Sequence, residues 1–206
     1  MKVEIYFDNV TRYEDKVLFD KSYKTMPLSR RQRIDKMKFD VDRCLSLGAG
    51  VLLDNALNEL GIYDYEFVYT ENGKPYLKDY SDKIKFSLSH SKDMVMCVLV
   101  YDENGNAPEV GCDIEFIKPI NLKIAKRFFS EDEYSEIIES DDKDSAFFRL
   151  WTKKESFLKV TGHGMSIPLN SINTVSDGNY EFFEIDKIDG YKSAYCLEVK
   201  HGKKEK

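Results

Sequence analysis

Gly111-Cys112-Asp113-Ile114-Glu115, with Trp151-Thr152-Lys153-Lys154-Glu155 and Lys159 further on, forms the stretch around which the rest of the chain is organised. In its first part, apolar and acidic residues alternate, which is typical of a β-strand. This period places Asp113 and Glu115 on one face. Two carboxylates so close together repel each other unless a cation lies between them, and Mg²⁺ is a hard cation that prefers oxygen ligands. A half-solvated strand with a polar outer face is the simpler alternative, and spacing alone favours it.

The second part of the stretch, residues 145–160, follows a helical pattern. The residues on its first stripe are Phe147, Leu150, Trp151, Lys154 and Leu158. Glu155 lies at the border of this apolar face, and Lys159 lies one turn further on. A Glu–Lys pair at this spacing is commonly a surface ion pair, but beside an aromatic face it is expected to be partly buried and to need partners. A metal ion shared with Asp113 and Glu115 would be such a partner.

These residues resemble two motifs of the 4′-phosphopantetheinyl transferase family. Gly111-Cys112-Asp113-Ile114-Glu115 is similar to the motif G-[IV]-D-[IV]-E, with Cys112 where the family has Ile or Val. The segment that begins at Trp151 and ends at Lys159 is similar to the motif W-[ST]-x-K-E-[AS]-x-x-K. The resemblance extends from about residue 26 to the C-terminus, and it indicates the long, surfactin-synthetase-activator type.

The resemblance implies an α+β fold of two similar lobes, residues 1–106 and 107–206, with the active site between them. It implies transfer of 4′-phosphopantetheine from coenzyme A to a serine of an apo acyl or peptidyl carrier protein, with release of 3′,5′-ADP. In that reaction Asp113, Glu115 and Glu155 would hold Mg²⁺. Glu155 would also accept the serine proton, either directly or through a metal-bound water, and Lys159 would balance charge on the phosphates. Fatty-acid, polyketide and non-ribosomal-peptide carriers all remain open as partners.

Two further motifs are expected to hold coenzyme A. Phe86-Ser87-Leu88-Ser89-His90-Ser91 resembles the family's F-[NS]-[IL]-S-H-[ST], which assigns Ser89 and His90 to the nucleotide end. Gly73-Lys74-Pro75 resembles the loop G-K-P, whose lysine reaches the nucleotide. From the residues alone, a structural role explains a lysine in a turn or a histidine at the end of a strand as well as a binding role does.

A basic helix is predicted to begin near Pro27, with Ser29 as its cap. It is either a solvated face or an electropositive rim for a phosphate-bearing ligand. Its basic residues are Arg30, Arg31, Arg33, Lys36 and Lys38. A match to the family without gaps would instead put Gln32 and Asp35 at the basic positions, so the phosphate-binding residue stays open. In the next helix, Arg43 matches a family arginine that contacts a phosphate of coenzyme A.

The composition describes an acidic protein of 206 residues with a net charge of −6 and 42% hydrophobic residues. This allows a substantial core, and without a global basic field nucleic acid is not the expected partner. The longest apolar run, Met94–Tyr101, is too short for a bilayer and is predicted to be a strand buried on both faces. The scattered cysteines are expected to be reduced core thiols of a cytoplasmic protein. Because one chain carries both halves of the site, a monomer is expected.

Several local predictions depend on periodicity and turn residues. Ser130 and Glu133 form a capping-box pattern, but the family also has a glutamate near the active site here, and both interpretations stay open. The segment between Phe7 and Pro27 is interpreted as irregular and polar. Strands are predicted at 167–175, 180–185 and 191–199. The loop at His163 is expected to be flexible and the charged tail 201–206 to be frayed.

Two other functions compete with the transferase. A non-catalytic module that binds carrier proteins or nucleotides could use the same fold, but the chain has all three carboxylates and Lys159. A different Mg²⁺-dependent phosphotransferase is disfavoured because no phosphate-cradling glycine loop is present in the sequence.

Overall fold

The structure is a computed structural model that describes residues 1–162, 164, 167–174 and 178–199. Six α-helices and eight β-strands follow one another within these residues. The helices are Lys16–Thr25 (α1), Leu28–Asp35 (α2), Asp40–Glu59 (α3), Leu122–Phe128 (α4), Glu131–Glu139 (α5) and Lys143–Thr161 (α6). The strands are Lys2–Asn9 (β1), Phe67–Tyr69 (β2), Pro75–Leu77 (β3), Ile84–Ser91 (β4), Met94–Tyr101 (β5), Val110–Phe116 (β6), Tyr180–Ile185 (β7) and Tyr191–Glu198 (β8).

The first sheet has β5 at its centre, in the order β1-β5-β4, with both neighbours antiparallel to β5. Successive side chains of a strand point to opposite faces. The odd-numbered residues from Val95 to Leu99 therefore share a core with α3, and the even-numbered residues from Met94 to Val100 share a second core with β6. The prediction that this strand is buried on both faces is confirmed.

The second sheet has the antiparallel order β6-β8-β7, and α6 packs on β6 and β8. Gly111 allows this helix to come unusually close to β6. A Cβ atom on Gly111 would lie 2.0 Å from the Ser156 carbonyl oxygen and 2.4 Å from the Val160 nitrogen. The glycine at the start of the acidic motif is therefore required by backbone packing between β6 and α6.

Both long helices end at a glycine in the left-handed region. Gly61 follows α3 with φ 77°, and Gly162 ends α6 with φ 68°. Glycine adopts this conformation without the steric cost that a Cβ atom brings. At the other end of α6, the Asp142 side chain accepts a hydrogen bond from the Ser145 N–H. Asp142 therefore caps the start of α6.

Two predictions in the N-terminal part are wrong. The segment after β1 is helical, because Asn9 caps a 3₁₀ helix, Val10–Glu14, and Asp15 caps α1 by accepting the Leu18 N–H. Ser29 does not cap α2, which begins at Leu28 after Pro27 without any side-chain cap. The fixed φ angle of proline is already suited to a helix start, so a serine cap is not needed there.

The strand predicted at 167–175 is also wrong. Pro168 instead begins a 3₁₀ helix, Leu169–Ser171, and Val175 lies outside the described residues. The β7 and β8 predictions are confirmed. His163 and the tail 201–206 also lie outside the described residues.

The α+β class is confirmed, since each half contributes a three-stranded antiparallel sheet and one long helix. The boundary between residues 106 and 107 stays a prediction. All four cysteines are free and buried, as expected. Among the described residues, none of the helices combines the length and apolar character needed to cross a lipid bilayer.

Candidate active site

Asp113 is buried where β4 and α6 both contact β6. Its Oδ1 atom accepts hydrogen bonds from Ser89 Oγ at 2.7 Å and from Lys159 Nζ at 2.8 Å. Its Oδ2 atom is also buried but has no hydrogen-bond partner. A buried carboxylate oxygen without a partner is costly, so this atom indicates a place where a further cation or donor is accommodated.

Lys159 is the positive charge at the centre of the site. Its ammonium contacts Asp113 and also donates to Ser89 Oγ at 2.8 Å. Burial is the largest single effect and would by itself lower the pKa of Lys159, but the charge of Asp113, its hydrogen bond to Lys159 and the nearby Cys112 and Glu155 together raise the pKa. The side chain therefore stays positive and available to balance anionic oxygens.

Glu115 and Glu155 are the other two predicted ligands. Glu115 accepts a hydrogen bond of 2.7 Å from Ser91 Oγ. Burial raises the pKa of Glu115, and the charge of Asp113 raises it further against the opposing effect of Ser91. The pKa of Glu155 is likewise raised, first by burial and then by Asp113. The three carboxylates are therefore near enough to act on one another electrostatically.

The donor set fits a hard divalent cation such as Mg²⁺, which prefers carboxylate oxygens. The unpartnered Oδ2 of Asp113 is the observation that best supports this fit. Over the described residues, no three His, Cys, Asp or Glu side chains are already assembled as a metal cluster. In this arrangement Lys159 compensates the charge of Asp113. Asp113, Glu115 and Glu155 are the residues that could hold the ion.

A pocket of about 380 Å³ opens beside this cluster. Glu155 and Lys159 line it from α6, and His90 lines it from the end of β4. Of the basic residues of the second helix, Arg30 and Arg33 reach the pocket. Helix, strand and loop therefore bring a carboxylate and several cationic or potentially cationic side chains to one cavity.

Lys74 also lines this pocket, from the turn between β2 and β3. Its ammonium forms an ion pair of 2.7 Å with Glu109. It also donates to the backbone carbonyl oxygens of Val110 at 3.3 Å and Val160 at 3.2 Å. Lys74 therefore joins the first half of the chain to the start of β6 and the end of α6, in addition to facing the pocket.

The structure does not bring Ser89 and Arg43 to the surface of that pocket. Ser89 is buried, and its hydroxyl is committed to Asp113 and Lys159. Arg43 lines a separate pocket of about 600 Å³, where it forms an ion pair of 3.4 Å with Asp40. Its guanidinium lies 5.3 Å from the centre of the Phe19 ring.

His90 follows Ser89 and points the other way, as the two-residue period of a strand requires. Part of the residue is exposed at the mouth of the pocket. Partial burial of the ring lowers the pKa of His90, and the charges of Lys159 and Arg33 lower it further. The lowered pKa favours the neutral imidazole, which can donate one N–H to an anionic ligand.

Glu133 has a structural role in this fold. It completes the capping box with Ser130. Its carboxylate also accepts a hydrogen bond of 2.9 Å from Thr174 and forms an ion pair of 2.7 Å with Lys154, which is fully buried. The capping interpretation of Glu133 is thus favoured over a place in the active site.

Sequence reasoning missed the role of Lys154. Its ammonium also donates to the carbonyl oxygens of Leu169 at 2.7 Å and Ile172 at 2.8 Å. All three of its N–H bonds therefore have partners inside the protein. Burial lowers the pKa of Lys154, although the charge of Glu133 opposes this shift. The signal was its position on an otherwise apolar stripe of the helix, which predicts burial.

We expect Lys154→Met to destabilise the protein by about 3–5 kcal/mol, because it leaves Glu133 as an uncompensated buried charge. Thermal unfolding measures the effect. Lys153→Met is the matched control, since the neighbouring Lys153 pairs with Glu184, whose side chain is partly exposed, and should cost about 1 kcal/mol or less. Equal losses of stability in the two variants would show that the buried ion pair contributes no more to stability than the partly exposed one.

Comparison with known proteins identifies the family of this chain. A model of the 4′-phosphopantetheinyl transferase superfamily matches residues 109–205. The 4′-phosphopantetheinyl transferase Sfp of Bacillus subtilis (strain 168) is 33% identical over 187 residues, which cover 81% of this chain and 80% of that protein. The chain belongs to the 4′-phosphopantetheinyl transferase superfamily and is a transferase of this kind.

Other relatives show the same relationship. The 4′-phosphopantetheinyl transferase ffp of Bacillus subtilis is 31% identical over 93% of this chain and 89% of that protein. The enzyme psf-1 of Bacillus pumilus is 37% identical over 69% of this chain and 60% of that protein. The crystal structure of Thermotoga maritima holo-[acyl-carrier-protein] synthase aligns with a TM-score of 0.40 and 16% identity over 45% of this chain and 64% of that chain. This similarity is too low for the two sites to be compared.

Proposed function

We propose that this protein transfers the 4′-phosphopantetheine arm of coenzyme A to a serine of an apo acyl or peptidyl carrier protein, with Mg²⁺ bound. One arrangement carries the proposal: Glu155 and Lys159 line the same pocket as Arg30, Arg33 and Lys74. A substrate with a pyrophosphate and a further phosphate needs cations for its oxygens, and its acceptor needs a carboxylate that takes a proton. Membership of the family supports the same reaction.

The basic side chains of the pocket would hold the nucleotide end of coenzyme A. Arginine suits phosphate because its planar guanidinium donates two parallel hydrogen bonds, which favours Arg30 and Arg33 for this role. His90 would add an N–H donor. Lys74 would share its ammonium between Glu109 and a phosphate oxygen. Arg43 and Ser89 remain predicted contacts, although they do not line this pocket.

At the reacting end, the oxygen of the carrier serine forms a bond to the phosphorus that bears the pantetheine arm. The bond from that phosphorus to the oxygen of 3′,5′-ADP breaks. Glu155 takes the serine proton, and Lys159 stabilises the charge that grows on the departing phosphate. Asp113, Glu115 and Glu155 are proposed to hold Mg²⁺, which when bound neutralises charge on the pyrophosphate. The enzyme is further proposed to act as a cytoplasmic monomer.

Intact-mass spectrometry tests the proposed function. Apo carrier proteins of the fatty-acid, polyketide and non-ribosomal-peptide kinds are incubated with the enzyme, coenzyme A and Mg²⁺, and a matched sample contains EDTA. We expect at least one carrier to gain the mass of one phosphopantetheine group, and only without EDTA. Binding of coenzyme A with no mass gain on any carrier would favour a non-catalytic binding module instead.

His90→Ala should raise the KM for coenzyme A about 10- to 100-fold and leave kcat nearly unchanged, because a lost hydrogen bond to a charged phosphate costs about 1.5–3 kcal/mol. Steady-state kinetics with a reactive carrier separate the two constants. His90→Gln keeps an N–H donor and should recover part of the loss. A collapse of kcat with an unchanged KM would reject a binding role for His90.

A further inference from the structure

Three serines of β4 connect the edges of the two sheets. Among the described residues, β4 ends the first sheet and β6 ends the second, so neither strand pairs with another strand on the side where the two meet. Serine hydroxyls accept the β6 backbone N–H groups in place of carbonyl oxygens. The bonds run from Cys112 N to Ser87 Oγ (2.9 Å), from Ile114 N to Ser89 Oγ (3.4 Å) and from Phe116 N to Ser91 Oγ (3.1 Å).

Two of these three hydroxyls, those of Ser89 and Ser91, also donate a hydrogen bond to a carboxylate. A serine hydroxyl has one hydrogen to donate in addition to its acceptor lone pairs. Ser89 donates it to Asp113 Oδ1 at 2.7 Å, and Ser91 donates it to Glu115 Oε2 at 2.7 Å. Each hydroxyl therefore ties a carboxylate to the backbone N–H of the residue that follows that carboxylate.

The end of β4 is itself held in place from the other half of the chain. Lys92, which follows Ser91, has a φ of 54°, a conformation that residues with a Cβ atom rarely adopt. Its ammonium lies 3.7 Å from the centre of the Phe116 ring. The next residue, Asp93, accepts a hydrogen bond from the Tyr191 hydroxyl. These contacts offset the backbone strain and restrict where the Ser91 hydroxyl can lie.

We propose that Ser91 is a positioning residue that sets the orientation of the Glu115 carboxylate, and that Ser89 does the same for Asp113. This inference rests on the proposed function, in which both carboxylates hold the metal ion. One oxygen of Asp113 is occupied by Ser89 and Lys159, and the other stays free. Carboxylates held in this manner lose less freedom when an ion binds, and loss of such a support typically weakens metal binding about 10–100-fold.

The experiment compares three variants with the full wild-type chain. Ser91→Ala removes the bond to Glu115, Ser91→Thr keeps a hydroxyl on a residue suited to strands, and Ser87→Ala removes a backbone contact without touching a carboxylate. Binding of Mn²⁺ alone, as a probe for Mg²⁺, is measured by the electron paramagnetic resonance signal of the free ion. Thermal unfolding of each variant shows that it is folded and reports the loss of the contact between the sheets.

We expect Ser91→Ala to bind Mn²⁺ at least about tenfold more weakly than wild type. Ser91→Thr should restore most of the affinity. Ser87→Ala should lower the unfolding temperature as much as Ser91→Ala does and keep the Mn²⁺ affinity of wild type.

Wild-type Mn²⁺ affinity in Ser91→Ala would overturn the positioning role. An equal loss of Mn²⁺ affinity in Ser87→Ala would also overturn it, because the effect would then come from the contact between the sheets. If wild type itself binds no Mn²⁺, the metal assignment in the proposed function fails and the inference fails with it. A failure of the inference alone is therefore distinguished from a failure of the proposed function.

Discussion

Asp113→Ala should abolish transfer of the phosphopantetheine group, with a fall in kcat of about 10³-fold or more. The carboxylate is the point where β4, β6 and α6 meet, because one of its oxygens contacts both Ser89 and Lys159. Its removal takes away a proposed metal ligand and leaves Lys159 without its closest negative partner. Losing one nucleotide-binding residue should cost far less, because the other basic side chains of the pocket remain.

Initial rates of carrier modification, followed by intact mass, measure this effect. Asp113→Asn is the matched control for shape, since it keeps an oxygen acceptor for Ser89 and Lys159 but loses the negative charge and replaces the second oxygen with an NH₂ group. We expect it to be nearly as inactive as Asp113→Ala, because the proposed role depends on charge. Turnover within tenfold of wild type in either folded variant would contradict a metal-binding role for Asp113.

Gly111→Ala should be the most damaging small substitution for stability, at about 3 kcal/mol or more, the upper end of what overpacking costs. The added Cβ would lie 2.0 Å from Ser156 O, 2.4 Å from Val160 N and 3.0 Å from Lys159 C. All three are backbone atoms, so no side-chain rotation relieves the contact and α6 has to move. Because α6 carries Glu155 and Lys159, activity should fall together with stability.

Thermal unfolding should show a fall of about 10 °C for this loss, given roughly 2–4 °C per kcal/mol in a chain of this size. Gly178→Ala is the matched control, because a Cβ there would meet no atom within 4 Å and the backbone is not in the left-handed region. It should change the unfolding temperature little. A Gly111→Ala variant as stable as Gly178→Ala would show that β6 and α6 are less closely packed than described.

Periodicity and motif spacing predicted much of this fold. The alternation around Asp113 and the three- to four-residue repeat around Trp151 correctly indicated β6 and α6. The continuous apolar run correctly indicated β5, and the capping box correctly indicated the start of α5. These signals are local, because the side-chain period of a strand or helix follows from backbone geometry alone.

The errors arose in segments whose overall composition indicated one backbone conformation while a single capping or turn residue produced another. Asp15 caps α1 in a segment whose polar composition resembled a loop. Pro168 begins a 3₁₀ helix inside a segment whose composition resembled a strand. In both cases one residue determined the backbone conformation, whereas the prediction was based on the composition of the whole segment.

By itself, the sequence determined the fold class, the family, and the strand and helix that carry Asp113, Glu115, Glu155 and Lys159. Only the tertiary structure decided what those residues face. Ser89 turns inward to Asp113 and its neighbour His90 lines the pocket, while Lys154 is buried with Glu133. Periodicity states which side chains share a face but not which distant segment covers that face. That choice depends on how the edges of the two sheets meet, through contacts between residues far apart in the chain.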